Sequence, residues 1–234
     1  MFVLFVFAHR ITVQHHCQLS PLFCISSEHS CRKGMEHISD REVISSPEPV
    51  TRDQFIQYSG GLTLDLNTLS KHLRLSERNR VIRFSYTEQE YPDHPDRFSC
   101  CQVLCKERVC GRSYWEIEWT GRVYLSVSYK SIGRKELGHV CDFGRNDKSW
   151  RLYCSDSRFS FCHNDKWINV PVVSSSDRIG VYVDERAGIL SFYSVSDTIM
   201  TLIHSISTTF TQPLYPGLAI VSIHSKVTLC DLTM

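Results

Sequence analysis

Cysteine and histidine are the residues of this chain best able to do chemistry, as metal ligands or as a nucleophile and its base, and the chain holds eleven of each. Their spacing decides what they can do. Cys17, Cys24 and Cys31 fall seven residues apart in a stretch, residues 9–50, that also carries five histidines. No Cys-x-x-Cys or His-x3-His pair there brings two ligands to one ion from a short turn, as zinc sites require. His94 lies in Tyr91-Pro92-Asp93-His94-Pro95-Asp96, where the prolines set turns and remove backbone donors, and it reads as a loop residue rather than half of a Cys–His nucleophile pair. Gly144-Arg145-Asn146-Asp147-Lys148 lacks the Gly-x4-Gly-Lys-Ser/Thr spacing of a phosphate cradle. The cysteine count is odd, the spacing is irregular, and Cys100-Cys101 are adjacent, which suits reduced thiols in the cytoplasm better than a disulfide framework. No catalytic residue, no cofactor and no metal are expected.

The elements that would position any site are short and extended. Asp184 to Gly188 is a charged turn whose Gly188 can enter positive φ without steric cost. Before it Ile179, Val181 and Val183 alternate with Gly180 and Tyr182, and after it Ile189, Ser191 and Tyr193 alternate with Leu190 and Phe192. That is period two on both sides, two strands each with a buried face. Trp115, Ile117 and Trp119 share one face, Tyr114, Glu116 and Glu118 the other, and Gly121 turns the chain into Val123, Leu125, Val127 and Tyr129. Trp150, Leu152 and Cys154 alternate with Arg151 and Tyr153, and two further turns lead through Phe159 and Phe161 to Trp167. The one helix candidate is Asn67 to Leu75, where Leu66, Leu69 and Leu73 are spaced for one face. The pattern predicts an all-β, two-sheet antiparallel sandwich.

At 234 residues and 42% hydrophobic content the chain suffices for one domain with an appendage. Twenty-six basic against twenty-five acidic residues, net charge +1, give no reason to expect nucleic acid or an anionic membrane as partner. Met1 to Ala8 is apolar but too short to span a bilayer, and no basic residue precedes it. Residues 1–50 read as a poorly ordered leader, with Ser45 to Pro49 as linker.

Several separated motifs, in order, resemble the PRY-SPRY domain family. They are Leu62-Thr63-Leu64-Asp65 with Asn67-Thr68, Arg97-Phe98, Gly111 to Trp119, Phe143 to Trp150, Asp184 to Tyr193, and Leu214-Tyr215-Pro216-Gly217. The resemblance covers residues 61–232, with a lead-in at Thr51 to Phe55, and divides them into PRY at about 61–110 and SPRY at about 111–232. It extends to the modules that end fish tripartite-motif proteins, NOD-like-receptor relatives and stonefish-type toxins. It implies a bent SPRY-type β-sandwich with a short helical PRY segment, whose loops at one rim bind proteins. The family's Leu-Asp-Pro is Leu64-Asp65-Leu66 here, so the proline that fixes φ is missing. No RING-type array, coiled-coil heptad or nucleotide-binding loop precedes the domain, and no ligase or receptor activity is expected from this chain itself.

The resemblance thus implies a non-catalytic module that recognises a protein target, in innate-immune or ubiquitin-ligase-related signalling. The alternative is the C-terminal domain of a secreted stonustoxin-like cytolytic protein. A protein-binding site belongs on loops that vary without disturbing the core. The loops at Tyr86 to Ser99, Lys130 to His139, Gly144 to Ser149 and Tyr153 to Trp167 qualify. Aromatic and arginine side chains supply most interface energy, which selects Tyr91, Arg97, Arg134, Lys135, Tyr153, Phe159 and Trp167. Trp115 and Trp119 read as core, and Trp167 as either core edge or anchor.

Overall fold

The computed structural model describes residues 47–135, 138–172 and 176–232; most of the expected leader, residues 1–46, lies outside them. The alternating stretches become strands. In chain order these are β1 (Leu73–Ser76), β2 (Val81–Phe84), β3 (Gln102–Leu104), β4 (Arg112–Thr120), β5 (Val123–Tyr129) and β6 (Ser149–Ser155). There follow β7 (Arg158–His163), β8 (Lys166–Val170), β9 (Arg178–Asp184), β10 (Ile189–Ser196), β11 (Ile199–Ser207), β12 (Leu214–Ile220) and β13 (Lys226–Leu229). They form a seven-stranded sheet, β1-β2-β13-β4-β9-β10-β11, and a six-stranded sheet, β3-β12-β5-β6-β7-β8. All the pairings are antiparallel, and the chain is the expected all-β sandwich.

Side-chain parity explains the core. Trp115, Ile117 and Trp119 of β4 and Ile179, Val181 and Val183 of β9 point inward to meet Leu125 and Val127 of β5 and Trp150, Leu152 and Cys154 of β6. The β9–β10 hairpin is as the sequence implies. Gly188 has φ +71°, and a Cβ there would lie 1.8 Å from the Thr208 carbonyl oxygen. The Asp184 carboxylate accepts from the Arg186 and Ala187 backbone N–H groups at 3.2 and 3.0 Å and from Arg112 Nε at 2.9 Å. Burial works to raise the Asp184 pKa, but these donors hold it below the ordinary value.

The helix lies elsewhere than expected. Residues 66–68 form a turn in which Asp65 Oδ1 accepts from Asn67 N at 3.0 Å and the Asp65 carbonyl accepts from Thr68 N at 3.0 Å. Leu69 and Leu73 are buried but Leu66 is 43% exposed, so the three leucines share no face. The Asp65 side chain satisfies a local donor that a continued helix would leave to its own backbone. The short helix is α1, Arg52–Ile56, in the lead-in. A capping box starts it: Thr51 Oγ1 accepts from Gln54 N, and Gln54 Oε1 accepts from Thr51 N at 3.1 Å.

That helix covers the middle of the outer face of the seven-stranded sheet, over β4, β9 and β10. Phe55 packs against Tyr114 and Tyr182 with ring centroids 5.3 and 5.2 Å apart. Tyr114 and Glu116, set opposite the core by parity, are therefore buried as well.

Candidate functional site

The outer face of the six-stranded sheet is only half covered. Over β3 and β12 the chain between β5 and β6 folds back, and Ile132 and Phe143 join Phe98, Leu104 and Ala219 in a second apolar cluster. Gly144 makes the return possible. It sits at φ +79°, and a Cβ on it would come within 2.6 Å of Arg151 Cγ, so the loop rests directly on β6. Ser149 Oγ accepts from Gly144 N at 2.7 Å, and Asn146 Nδ2 donates to the Asp142 carbonyl at 2.9 Å, which fixes the turn.

Beyond this cover β5, β6, β7 and β8 leave an open cleft of about 930 Å³. Its walls include Tyr124, Tyr153, Trp167, Arg122, Arg158 and His224. Outward parity presents the aromatic side chains: Tyr124 is paired with Tyr153 across β5 and β6, with ring centroids 5.7 Å apart. Trp167 stands on β8, the edge strand, and is 48% exposed.

Beneath these rings lies Arg151. It is 2% exposed, and its guanidinium carbon is 4.1 Å from the Tyr124 ring centroid and 4.5 Å from that of Trp167. Two cation–π contacts replace the water it has lost. Its Nε has no hydrogen-bond partner, and no carboxylate pairs with it among the described residues.

The seven residues selected from the sequence do not form one site. Tyr153 and Trp167 both line the cleft. Phe159 is core, 2% exposed and edge-on to Trp119, because its parity on β7 is inward. Arg97 is 4% exposed and holds its own loop, with its guanidinium donating to the carbonyls of Pro92, Leu66 and Leu69. Arg134 lies 4.5 Å over the Phe98 ring and donates to the Lys130 and Ile132 carbonyls, while burial lowers its pKa. Tyr91 is half-buried, with its hydroxyl donating to the Leu73 carbonyl at 3.0 Å. Lys135 is exposed beside Arg97 in a smaller depression away from the cleft. Tyr124 and Arg151 are absent from the sequence selection, although each occupies an outward position on a strand whose alternation is plain.

Cys100, Cys141 and Asp142 bring three possible ligand atoms, two sulfurs and a carboxylate oxygen, within 4.8 Å of one another. The two sulfurs are 2.6 Å apart, closer than two thiolates stand on one tetrahedral zinc, roughly 3.8 Å for Zn–S bonds of about 2.3 Å. Burial and the neighbouring Cys141 also push the Cys100 pKa up. The arrangement does not suit a metal.

Residues 62–109 match PRY, the SPRY-associated domain, and residues 112–230 match the SPRY domain. Stonustoxin subunit alpha of Synanceia horrida is 36% identical over 173 residues, covering 72% of this chain and 25% of the toxin subunit. Tripartite motif-containing protein 16 of Mus musculus is 36% identical over 217 residues, covering 90% of this chain and 38% of the mouse protein. The chain therefore spans well under half the length of either relative. Among solved structures, that of stonustoxin aligns with TM-score 0.73 and 34% identity over 77% of this chain and 30% of the other. The crystal structure of the TRIM65 PSpry domain aligns with TM-score 0.70 and 28% identity, over 80% of this chain and all of that one. The two matches together run from the first residue of the PRY motif to the last strand of the sandwich, and the chain belongs to the PRY-SPRY family.

Proposed function

We propose that this domain is a non-catalytic recognition module that captures a segment of a protein partner in the cleft over β5 to β8. One observation carries the reading. Beyond the cover supplied by the β5–β6 connection, this half-face of the six-stranded sheet is left open and presents Tyr124, Tyr153 and Trp167, the aromatic types that anchor interfaces. The kinship with tripartite motif-containing protein 16 supports a cytoplasmic setting in ubiquitin-ligase-related or innate-immune signalling. The double change Tyr153→Ala with Trp167→Ala tests the site. It should abolish co-purification of the wild-type partner, identified by mass spectrometry, and leave the domain folded at a cost of about 1–3 kcal/mol, since it removes the Trp167 contact with Arg151 and the Tyr153 pairing with Tyr124 but no core residue. Undiminished capture would move the site elsewhere.

The equal identity to stonustoxin subunit alpha favours a second reading, the C-terminal domain of a secreted cytolytic protein. Thiol titration separates the two. Cys110 is exposed and reacts readily in a protein kept in a reducing compartment. Two or more disulfides in protein from its native source would favour the toxin reading.

A further inference from the structure

We propose that the cleft selects an acidic peptide segment, and that Arg151 binds its carboxylate in the slot between Tyr124 and Trp167. The inference rests on the cleft being the capture site. A buried arginine is ordinarily paired or fully hydrogen-bonded, since an unpaired buried charge is costly. Arg151 is 2% exposed, yet its Nε lacks a partner and its charge meets no carboxylate among the described residues. The surroundings have the same sign. Arg122 and Arg158 line the cleft with His224, and Asp156 is the one acidic side chain on its walls.

The geometry narrows the ligand. Tyr124 and Trp167 both lie against the guanidinium, with ring centroids 4.1 and 4.5 Å from its central carbon, and its N–H groups not engaged by the rings are left to donate. A planar carboxylate entering the same slot meets those groups with parallel N–H···O bonds, a match of shape as well as charge. Folding has already taken most of the water from Arg151, which is 2% exposed, so the incoming anion gains the contact with little further desolvation of the arginine. Trp167 is the cap. Being half-exposed on an edge strand, its ring can turn aside at its own side-chain torsions and uncover the guanidinium edge while the sheet stays fixed.

The test uses the full chain and degenerate nonapeptide libraries with a fixed central Asp, Glu, Asn, Gln or phosphoserine, with affinity read by fluorescence polarisation. The Asp or Glu library should bind at least about tenfold tighter than its amide counterpart, a difference of roughly 1.4 kcal/mol. Arg151→Met should bring that ratio to within about twofold at an unchanged melting temperature. Tyr153→Ala with Trp167→Ala should remove binding of every library. Equal binding of acid and amide libraries, lost in the double variant, overturns the role of Arg151 and leaves the cleft as capture site. Acidic preference that survives the double variant overturns both readings. Binding of the phosphoserine library more than about tenfold tighter than the Glu library assigns the slot to a tetrahedral anion and overturns the carboxylate, as does binding of no library at about 1 mM.

Discussion

The two sheets treat their outer faces in opposite ways, and the contrast is sharpest at one buried charge on each. On the seven-stranded sheet Glu116 is 0% exposed and fully served. Arg52 Nε and Nη2 donate to its two oxygens at 2.8 and 2.9 Å, the Tyr114 hydroxyl donates at 2.8 Å, and Arg178 Nη1 donates at 3.3 Å. On the six-stranded sheet Arg151 is almost as deeply buried, against the rings of Tyr124 and Trp167 and with no counter-ion among the described residues. The first charge ties a segment of the chain to the sheet. The second lies under an open cleft. A saturated buried charge is structural, whereas an unsaturated one, costly to the free protein, points to something the protein takes up.

Removing Glu116 should break this contrast most severely. Glu116→Ala leaves the guanidinium groups of Arg52 and Arg178 facing an emptied pocket and removes the ionic tie of α1 to β4, leaving the Phe55 packing, at a cost of about 2–4 kcal/mol. Urea denaturation measures it. A loss below about 1 kcal/mol would mean that the segment before β1 is not held by this carboxylate. The same site limits acid stability. Burial alone would raise the Glu116 pKa, but the bonds from Arg52 and Tyr114 and the charge of Arg178 outweigh it and hold the pKa below normal. For a depressed carboxylate the stabilisation is whole above the unfolded value, about 4.3, and is lost as pH falls through the folded one. The melting temperature of the wild type should therefore drop below about pH 4, and that of Glu116→Gln should drop less steeply.

Gly188→Val should be comparable in size. The new Cβ would stand 1.8 Å from the Thr208 carbonyl at a backbone φ of +71°, adding overpacking to left-handed strain, together about 2–4 kcal/mol. An unchanged denaturation midpoint would show that the tip of the β9–β10 hairpin relaxes freely.

The hairpin was legible in the sequence because its signals are local: period two on each flank and a glycine at the single position needing positive φ. The inward faces of β4, β6 and β9 were legible for the same reason. The burial of Tyr114 and Glu116 was not, since alternation tells which side a residue takes and not whether another segment covers that side. Thr51 to Phe55, nearly sixty residues upstream in the chain, does the covering. The leucine spacing at 66, 69 and 73 misled because Asp65 closes a turn there. Choosing residues by type from loops selected Tyr153 and Trp167, which line the cleft, together with Phe159, Arg97 and Arg134, whose side chains serve the core or brace their own loops. The stronger signal was parity. Aromatic and arginine residues at outward strand positions, Tyr124, Arg151 and Tyr153, have no core to fill; Tyr124 and Tyr153 line the cleft, and Arg151 lies beneath Tyr124 and Trp167.

The smallest expected effect is the one that sharpens the comparison. Arg151→Met replaces a buried cation by a shorter apolar chain whose methyl ends about where Nε stood, leaving the half-exposed Trp167 to settle into the room the guanidinium vacates. It forfeits two cation–π contacts, about 0.5–2 kcal/mol each by desolvation, and it relieves an arginine whose Nε has no partner, a burden of similar size. Thioether–aromatic contacts recover part of the difference. The net change should lie within about 1 kcal/mol of zero, where Glu116→Ala costs several. Denaturant midpoints of the two variants, measured side by side with the wild type, decide it. Comparable losses in both would mean that Arg151, like Glu116, is part of what holds the sandwich together, and the asymmetry between the two faces would then be one of cover alone and not of purpose.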